Sequence, residues 1–280
     1  MDAAAALYVS DLDFTLLRSD ATLSARTVEV LNRLVADGVP FTYATARSYL
    51  SSRRVTAALD LALPLVTYGG TVIADPHDGA PLHVEGMPPE VVTTILDAAR
   101  DVGIEPIVYA MEGGRDRVRW HAESSSSGVR WYVAHREGDP RLAPLRSWND
   151  VDAASIFYIT LIDTRERLEA LRTDLAEALA GCAHFLSLDG YMNEHWLEIH
   201  ADTGTKARAV RRLAGSLSVE RIVAFGDNHN DVPLFEVADE TCAVANAVPE
   251  LRAIATHVIG ANDADGVADW LAARFAPVVG

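Results

Sequence analysis

The sequence predicts an α/β fold: a parallel sheet with crossover helices, interrupted by an α+β insert. Three observations predict it. Short apolar runs alternate with amphipathic segments over the first 75 residues, and the same alternation resumes near the other end of the chain. The stretch between is built differently, with strands and helices separated by long polar loops.

Each element has its own signal. Leu7-Tyr8-Val9 is an apolar run that stops at Ser10 and an acidic cluster, as a buried strand would. Ser24 reads as an N-cap, after which Val28, Leu31, Leu34 and Val35 recur at helical spacing until Gly38 closes the helix. A strand over 39–44, a helix over 47–59 and a strand over 63–68 follow, the last ending before Gly69-Gly70. Toward the far end, 205–217 predicts a helix. Ile222-Val223-Ala224-Phe225 is continuously apolar, as parallel strands buried on both faces tend to be. A helix over 231–237, a strand over 242–245, and helices over 249–255 and 268–274 complete the core.

The middle predicts a helix over 88–102, strands over 104–110 and 117–121 around Glu112-Gly113-Gly114, a strand over 156–162, a helix over 165–179, and strands over 184–188 and 196–200. The run Ser124 to Ser127 reads as a loop. The resulting division is a core of residues 1–82 and 196–280, with 83–195 inserted.

Composition narrows the function. Twenty-four Lys and Arg against 40 Asp and Glu give a net charge of -16, which disfavours a nucleic-acid partner, since such binding rests on cationic contacts to phosphate. It leaves room for a small anionic substrate where a metal ion and one or two cations reverse the local field. Cys182 and Cys242 are too few and too far apart for a metal cluster or a disulfide framework. The first residues lack the basic start and apolar core of a signal peptide, and no apolar run reaches the roughly 20 residues that span a bilayer. A soluble cytoplasmic protein with no membrane partner is the expectation.

Four segments carry chemistry. Asp11 and Asp13, in Asp11-Leu12-Asp13-Phe14-Thr15, lie at the carboxyl end of the first strand, where α/β sheets bind ligands. Their side chains would share a side if the strand continued. Two carboxylates held close need a cation or proton between them, and magnesium prefers oxygen ligands. The same run also fits a strand ended by an Asp-capped turn. Gly226-Asp227-Asn228-His229-Asn230-Asp231 repeats that position after the strand ending at Phe225; Asp227 could complete a metal site and Asn230 could donate to a phosphate oxygen. Thr45, in Ala44-Thr45-Ala46-Arg47, suits either a phosphate at a helix start or an ordinary N-cap. Lys206 opens a predicted helix, an end where the macrodipole disfavours cations; it either faces an anion or is a solvated lysine.

Taken in order, Asp11-Leu12-Asp13-Phe14-Thr15-Leu16-Leu17, Thr45-Ala46-Arg47, Lys206 and Gly226 to Asp231 resemble the haloacid dehalogenase superfamily of phosphohydrolases, in its Cof-like branch. Leu197-Glu198-Ile199 also resembles that branch's lead-in to the lysine. The resemblance implies a Rossmann-like core with an α/β cap at the insert. It also implies a magnesium-dependent phosphatase acting on a small phosphorylated metabolite. Asp11 would attack phosphorus, and Asp13 would protonate the leaving alcohol and then activate water. Thr45, Lys206, Asn230 and the backbone at Leu12 and Ala46 would hold phosphate. Asp11, the main-chain carbonyl of Asp13 and Asp227 would ligate magnesium, with Asp231 behind them supporting the metal's water shell or orienting Lys206.

Phe14 and Ala46 stand where the branch usually has glycine, and Tyr68-Gly69-Gly70 replaces its usual Asn-Gly pair. The insert is expected to act as a lid, with Arg119, His121, His195 and Trp196 as candidate contacts. A phosphotransferase or phosphomutase would use the same site. A metal-binding glycosyltransferase would not need Lys206 and the Asp227 cluster, and a glycosidase would not need the metal. A monomer or homodimer is the expected state.

Overall fold

A computed structural model describes residues 6–188 and 194–276. The chain divides into two compact units, Met1–His83 with Thr205–Gly280, and Val84–Gly204. The first begins with β1 (Ala6–Ser10), α1 (Ala25–Ala36), β2 (Phe41–Tyr43), α2 (Tyr49–Thr56), β3 (Leu65–Thr67), β4 (Val72–Ala74) and β5 (Pro81–Val84). The second unit carries α3 (Pro89–Asp101), β6 (Pro106–Glu112), β7 (Arg115–Arg119), α4 (Ser127–Ala134), β8 (Ile156–Asp163), α5 (Arg165–Asp174), β9 (Cys182–Leu188) and β10 (His195–Ala201). The chain then returns with α6 (Lys206–Ser216), β11 (Arg221–Gly226), α7 (Val232–Val237), β12 (Glu240–Val244), α8 (Pro249–Ile254), β13 (His257–Ile259) and α9 (Gly266–Arg274).

The first unit is built on a five-stranded sheet in the order β13-β12-β11-β1-β2, with parallel neighbours throughout. β1 is buried along its whole length, and β11 from Ile222 onward, so their apolar runs face core on both sides. From β1 the chain proceeds to β2 on one side, while β11, β12 and β13 run out on the other. The strand order therefore reverses between β1 and β11, which opens a crevice at their carboxyl ends. Ser24 caps α1 by accepting from the Thr27 N–H, and Val30, Leu31 and Leu34 bury one face of that helix. β3 was expected to extend the parallel sheet. It instead starts a small sheet, β3-β4-β5, linked to the main one by a single parallel bridge from Ala44 to Val66.

The second unit has its own sheet, in the order β7-β6-β8-β10-β9, with antiparallel neighbours. Val108, Ala110, Ile159, Leu161, Leu197 and Ile199 join Val92, Ile95 and Leu96 of α3 and Leu168 and Leu171 of α5 in a separate core. Residues 196–204, expected with the first unit, belong here. β10 is paired on both sides, with β8 and β9, and cannot leave that sheet. The helix expected over 165–179 stops at Asp174 and is followed by a separate 3-10 turn. α4, which starts at the last serine of the run and is capped by Ser126, and strands β4, β5 and β13 were not anticipated. Among the described residues no helix is long and apolar enough to cross a membrane.

Candidate active site

The Asp11 N–H donates to the Phe225 carbonyl at 3.0 Å, which carries the β1–β11 pairing one residue past the strand. The chain then enters a single wide turn over Leu12–Leu16, closed by the Leu17 N–H on the Leu12 carbonyl at 2.8 Å. Within it Phe14 takes left-handed backbone, φ 59°, uncommon for a bulky residue, and its carbonyl accepts from Asn246 Nδ2 at 2.8 Å. The strand ends at Ser10, so the condition under which strand geometry alone would put Asp11 and Asp13 on one side is not met. Asp11 is buried; Asp13 is half-exposed.

Asp11 lies with Asp227 and Asp231, each offering a carboxylate oxygen within 4.8 Å of the others. Lys206 Nζ donates to Asp11 Oδ1 at 2.6 Å and to Asp231 Oδ1 at 2.8 Å. The other Asp231 oxygen accepts from the backbone N–H groups of Asp227, 3.0 Å, and Asn228, 3.2 Å. Asp231 thus has both oxygens engaged and serves as a bracket joining Lys206 to the loop that carries Asp227. Thr15 Oγ1 donates to Asp227 Oδ1 at 2.8 Å and orients that carboxylate.

Two glycines permit these approaches. A Cβ on Gly226 would fall 2.7 Å from Asp231 Cβ and 2.8 Å from Oδ2. Gly70, at φ +111°, lies against the start of α6, where a Cβ would come within 2.1 Å of the Thr205 carbonyl carbon. Thr205 caps α6 by accepting from the Arg208 N–H and so starts the helix at Lys206.

Charge in this cluster is unbalanced. Fully ionised, three carboxylates against one ammonium would leave two negative charges in a buried place. Burial, with Asp231 and Asp227 adding to it and Lys206 opposing it, leaves the Asp11 carboxyl raised to about 7. Burial likewise raises Asp227, opposed by the Thr15 hydrogen bond. Burial alone would lower the Lys206 pKa, but Asp11 and Asp231 outweigh it and hold the lysine above its ordinary value. The lysine is an ammonium.

The other expected residues are dispersed around this centre. Thr45 is buried just past β2, its N–H on the Val66 carbonyl and its Oγ1 accepting from the Arg47 N–H at 3.1 Å. It caps no helix: α2 starts at Tyr49, with Ser48 as its cap. Leu12 is buried in the wide turn, Ala46 is exposed, and Asn230 is exposed in the 3-10 turn His229–Asp231. In the second unit Arg119 donates to the Ala143 carbonyl and pairs with Glu112, while His121 bonds the Arg146 carbonyl. Sequence reasoning missed Thr15, Arg47 and Gly226. Thr15 and Arg47 stand inside the segments singled out, but spacing does not show which side chains reach across the cleft.

Acidic groups at the carboxyl ends of the adjacent parallel strands β1 and β11, with a lysine from the start of α6, place the chain among α/β proteins with an acidic, lysine-bearing crevice at the sheet's carboxyl edge. The model of the haloacid dehalogenase-like hydrolases matches residues 8–271, and the chain belongs to that family. It is 26% identical over 273 residues to the 5-amino-6-(5-phospho-D-ribitylamino)uracil phosphatase of Bacillus subtilis, covering 96% of this chain and 97% of that one. A putative phosphatase of Haemophilus influenzae is 27% identical, covering 95% and 97% of the two chains. Among solved structures, a protein of Thermotoga maritima superposes with a TM-score of 0.81 at 25% identity over 97% of each chain. Family and phosphatase relatives together make the chain a phosphoric monoester hydrolase.

Proposed function

We propose that the protein is a magnesium-dependent phosphatase of small phosphorylated metabolites that works through a phosphorylated Asp11. The observation that carries this reading is the buried set of Asp11, Asp227 and Asp231 with a single lysine. Its two uncompensated negative charges match one divalent cation, and its donors are the hard oxygens that magnesium prefers. Asp11, Asp227 and the main-chain carbonyl of Asp13 would hold the ion. When bound, it supplies positive charge that lets an anionic carboxylate meet an anionic phosphate. Asp231 has both oxygens engaged and acts behind them.

The chain's own groups do the rest. Asp11 attacks phosphorus as the bond to the leaving oxygen breaks, and that oxygen takes the proton of Asp13. Water then attacks the aspartyl-phosphate, gives its proton to Asp13, and frees Asp11 as phosphate departs. Lys206 and Thr45 stabilise the charge spread over the phosphoryl oxygens, with Asn230 and the backbone at Leu12 and Ala46 as further donors. The fold supports a small-molecule ester, and the activity of the Bacillus subtilis relative makes its substrate the first to try.

The test is a magnesium-dependent screen that includes p-nitrophenyl phosphate and 5-amino-6-(5-phospho-D-ribitylamino)uracil, with Asp11→Asn as the control. Asp11→Asn removes the nucleophile at nearly constant volume and should abolish turnover while the protein stays folded. A folded Asp11→Asn protein with wild-type activity would sink the mechanism.

A further inference from the structure

Arg47 is a charged group beside the proposed chemistry to which no role has been given. Its Nη2 donates to Asp13 Oδ1 at 2.6 Å and its Nε to Asp13 Oδ2 at 2.9 Å, a two-bond fork on a carboxylate 34 residues away in the chain. The backbone beneath that fork is pinned at both ends. The Arg47 N–H donates to Thr45 Oγ1 at 3.1 Å, and the Arg47 carbonyl accepts from the Tyr68 N–H at 2.9 Å. Arg47 precedes α2, so it is held by these loop contacts rather than by a helix. An ordinary exposed ion pair would contribute little and would wander. This one is partly buried and doubly bonded, and it engages the group that must carry the proton.

We infer that Arg47 is a positioning residue for Asp13: its planar fork sets the direction from which the Asp13 carboxyl meets the leaving-group oxygen. This rests on the phosphatase reading above. In the first step the proton moves from Asp13 to the leaving oxygen as the P–O bond breaks. Asp13 is left a carboxylate, whose two oxygens match the two donors of Arg47. Lysine at this position would keep the charge but lose the planar two-bond geometry, so Arg47→Lys is not a conservative change here.

The readout is leaving-group dependence. p-Nitrophenolate departs with little help from an acid, whereas an alkoxide needs its proton. The quantity to compare is kcat/KM, which covers only the steps through departure of the leaving group, for p-nitrophenyl phosphate and for glycerol 2-phosphate. In Arg47→Lys and Arg47→Gln both values fall. The alkyl ester falls more, by a further ~30-fold, short of the ~10²–10⁴ that general acid–base catalysis is worth in full, because the Asp13 carboxyl is misaligned and not removed. A second arm uses Asp13→Asn. It shifts selectivity in the same direction and at least as far, and adding Arg47→Lys to it adds nothing, because Arg47 acts through Asp13.

Equal loss on both esters would overturn the inference and point to phosphate binding or a structural role. So would multiplicative effects in the double variant, or wild-type selectivity in both Arg47 variants. Failure of the underlying reading looks different: Asp11→Asn would then leave hydrolysis of both esters untouched.

Discussion

Replacing Asp231 with asparagine tests the bracket on which the site is built. The wild-type carboxylate is fully buried and accepts three hydrogen bonds, one from Lys206 Nζ and two from backbone N–H groups. Asparagine offers one acceptor oxygen and one donor NH₂. If the oxygen faces the backbone, the NH₂ faces the lysine ammonium, donor against donor. If it is flipped, the NH₂ faces two N–H groups. Either way at least one hydrogen bond that the charged carboxylate accepts is lost, at about 1.5–3 kcal/mol. Lys206 also stays buried beside one anion instead of two, and breaking a buried ion pair costs about 3–5 kcal/mol in all. At about 2–4 °C per kcal/mol for a protein of this size class, the transition of the first unit should move down by roughly 10 °C. Gly226→Ala attacks the same contact from the other side, since its Cβ would press on an Asp231 that three bonds hold in place. Calorimetry and urea melts of both variants are the assay. A midpoint within about 2 °C of wild type for Asp231→Asn would show that Asp231 is not the bracket described.

Thr15→Val keeps the shape of the side chain and removes the donor to Asp227 Oδ1. Because groups that orient a ligating carboxylate typically change metal affinity by 10–100-fold, the half-saturating magnesium concentration for hydrolysis should rise about tenfold; an unchanged magnesium titration would contradict that role. Phe14 is 54% exposed and left-handed, so Phe14→Gly relieves about 1–2 kcal/mol of backbone strain while loosening the unfolded chain by about 0.4–1 kcal/mol. Its melting midpoint should hold or rise, Phe14→Val should lower it, and a clear drop for glycine would contradict the strain. His200 is buried between Tyr158 and Phe185, and burial lowers its pKa below the ordinary 6.5. Its contribution to stability is full above pH 6.5 and is lost as pH falls through 6.5 toward the folded value. Glu198, raised by burial, works in the opposite sense, losing its contribution as pH climbs from 4.5 through its raised value. The difference between wild type and His200→Gln isolates the histidine: thermal melts should converge as pH falls below about 6.5, and a constant gap would refute the assignment.

What was legible in the sequence follows from range. β1 and β11 could be read because a parallel strand buried on both faces leaves a continuous apolar run, and each run stops at its acidic cluster. Ser24 and Gly38 could be read because caps act within a few residues. β10 was legible as a strand, with Leu197 and Ile199 alternating against Trp196, Glu198 and His200. Its allegiance was not, since that depends on pairing with β8 and β9. The same limit hid the site's cross-braces. Thr15 reaches Asp227 across 212 residues and Arg47 reaches Asp13 across 34, contacts set by the fold and not by local pattern.

Asp11 and Asp13 differ in their surroundings, and the roles proposed for them follow that difference. Asp11 keeps 8% of its side chain exposed and faces a buried ammonium, while Asp13 keeps 40% exposed and faces the Arg47 fork. A nucleophile gains from being shut away from water, which would otherwise solvate its charge and compete for phosphorus. A group that gives up a proton in one step and recovers one from water in the next needs solvent within reach. The left-handed Phe14 lies in the turn just past Asp13, so backbone strain of the kind that gathers at functional sites is held beside the group proposed to carry the proton.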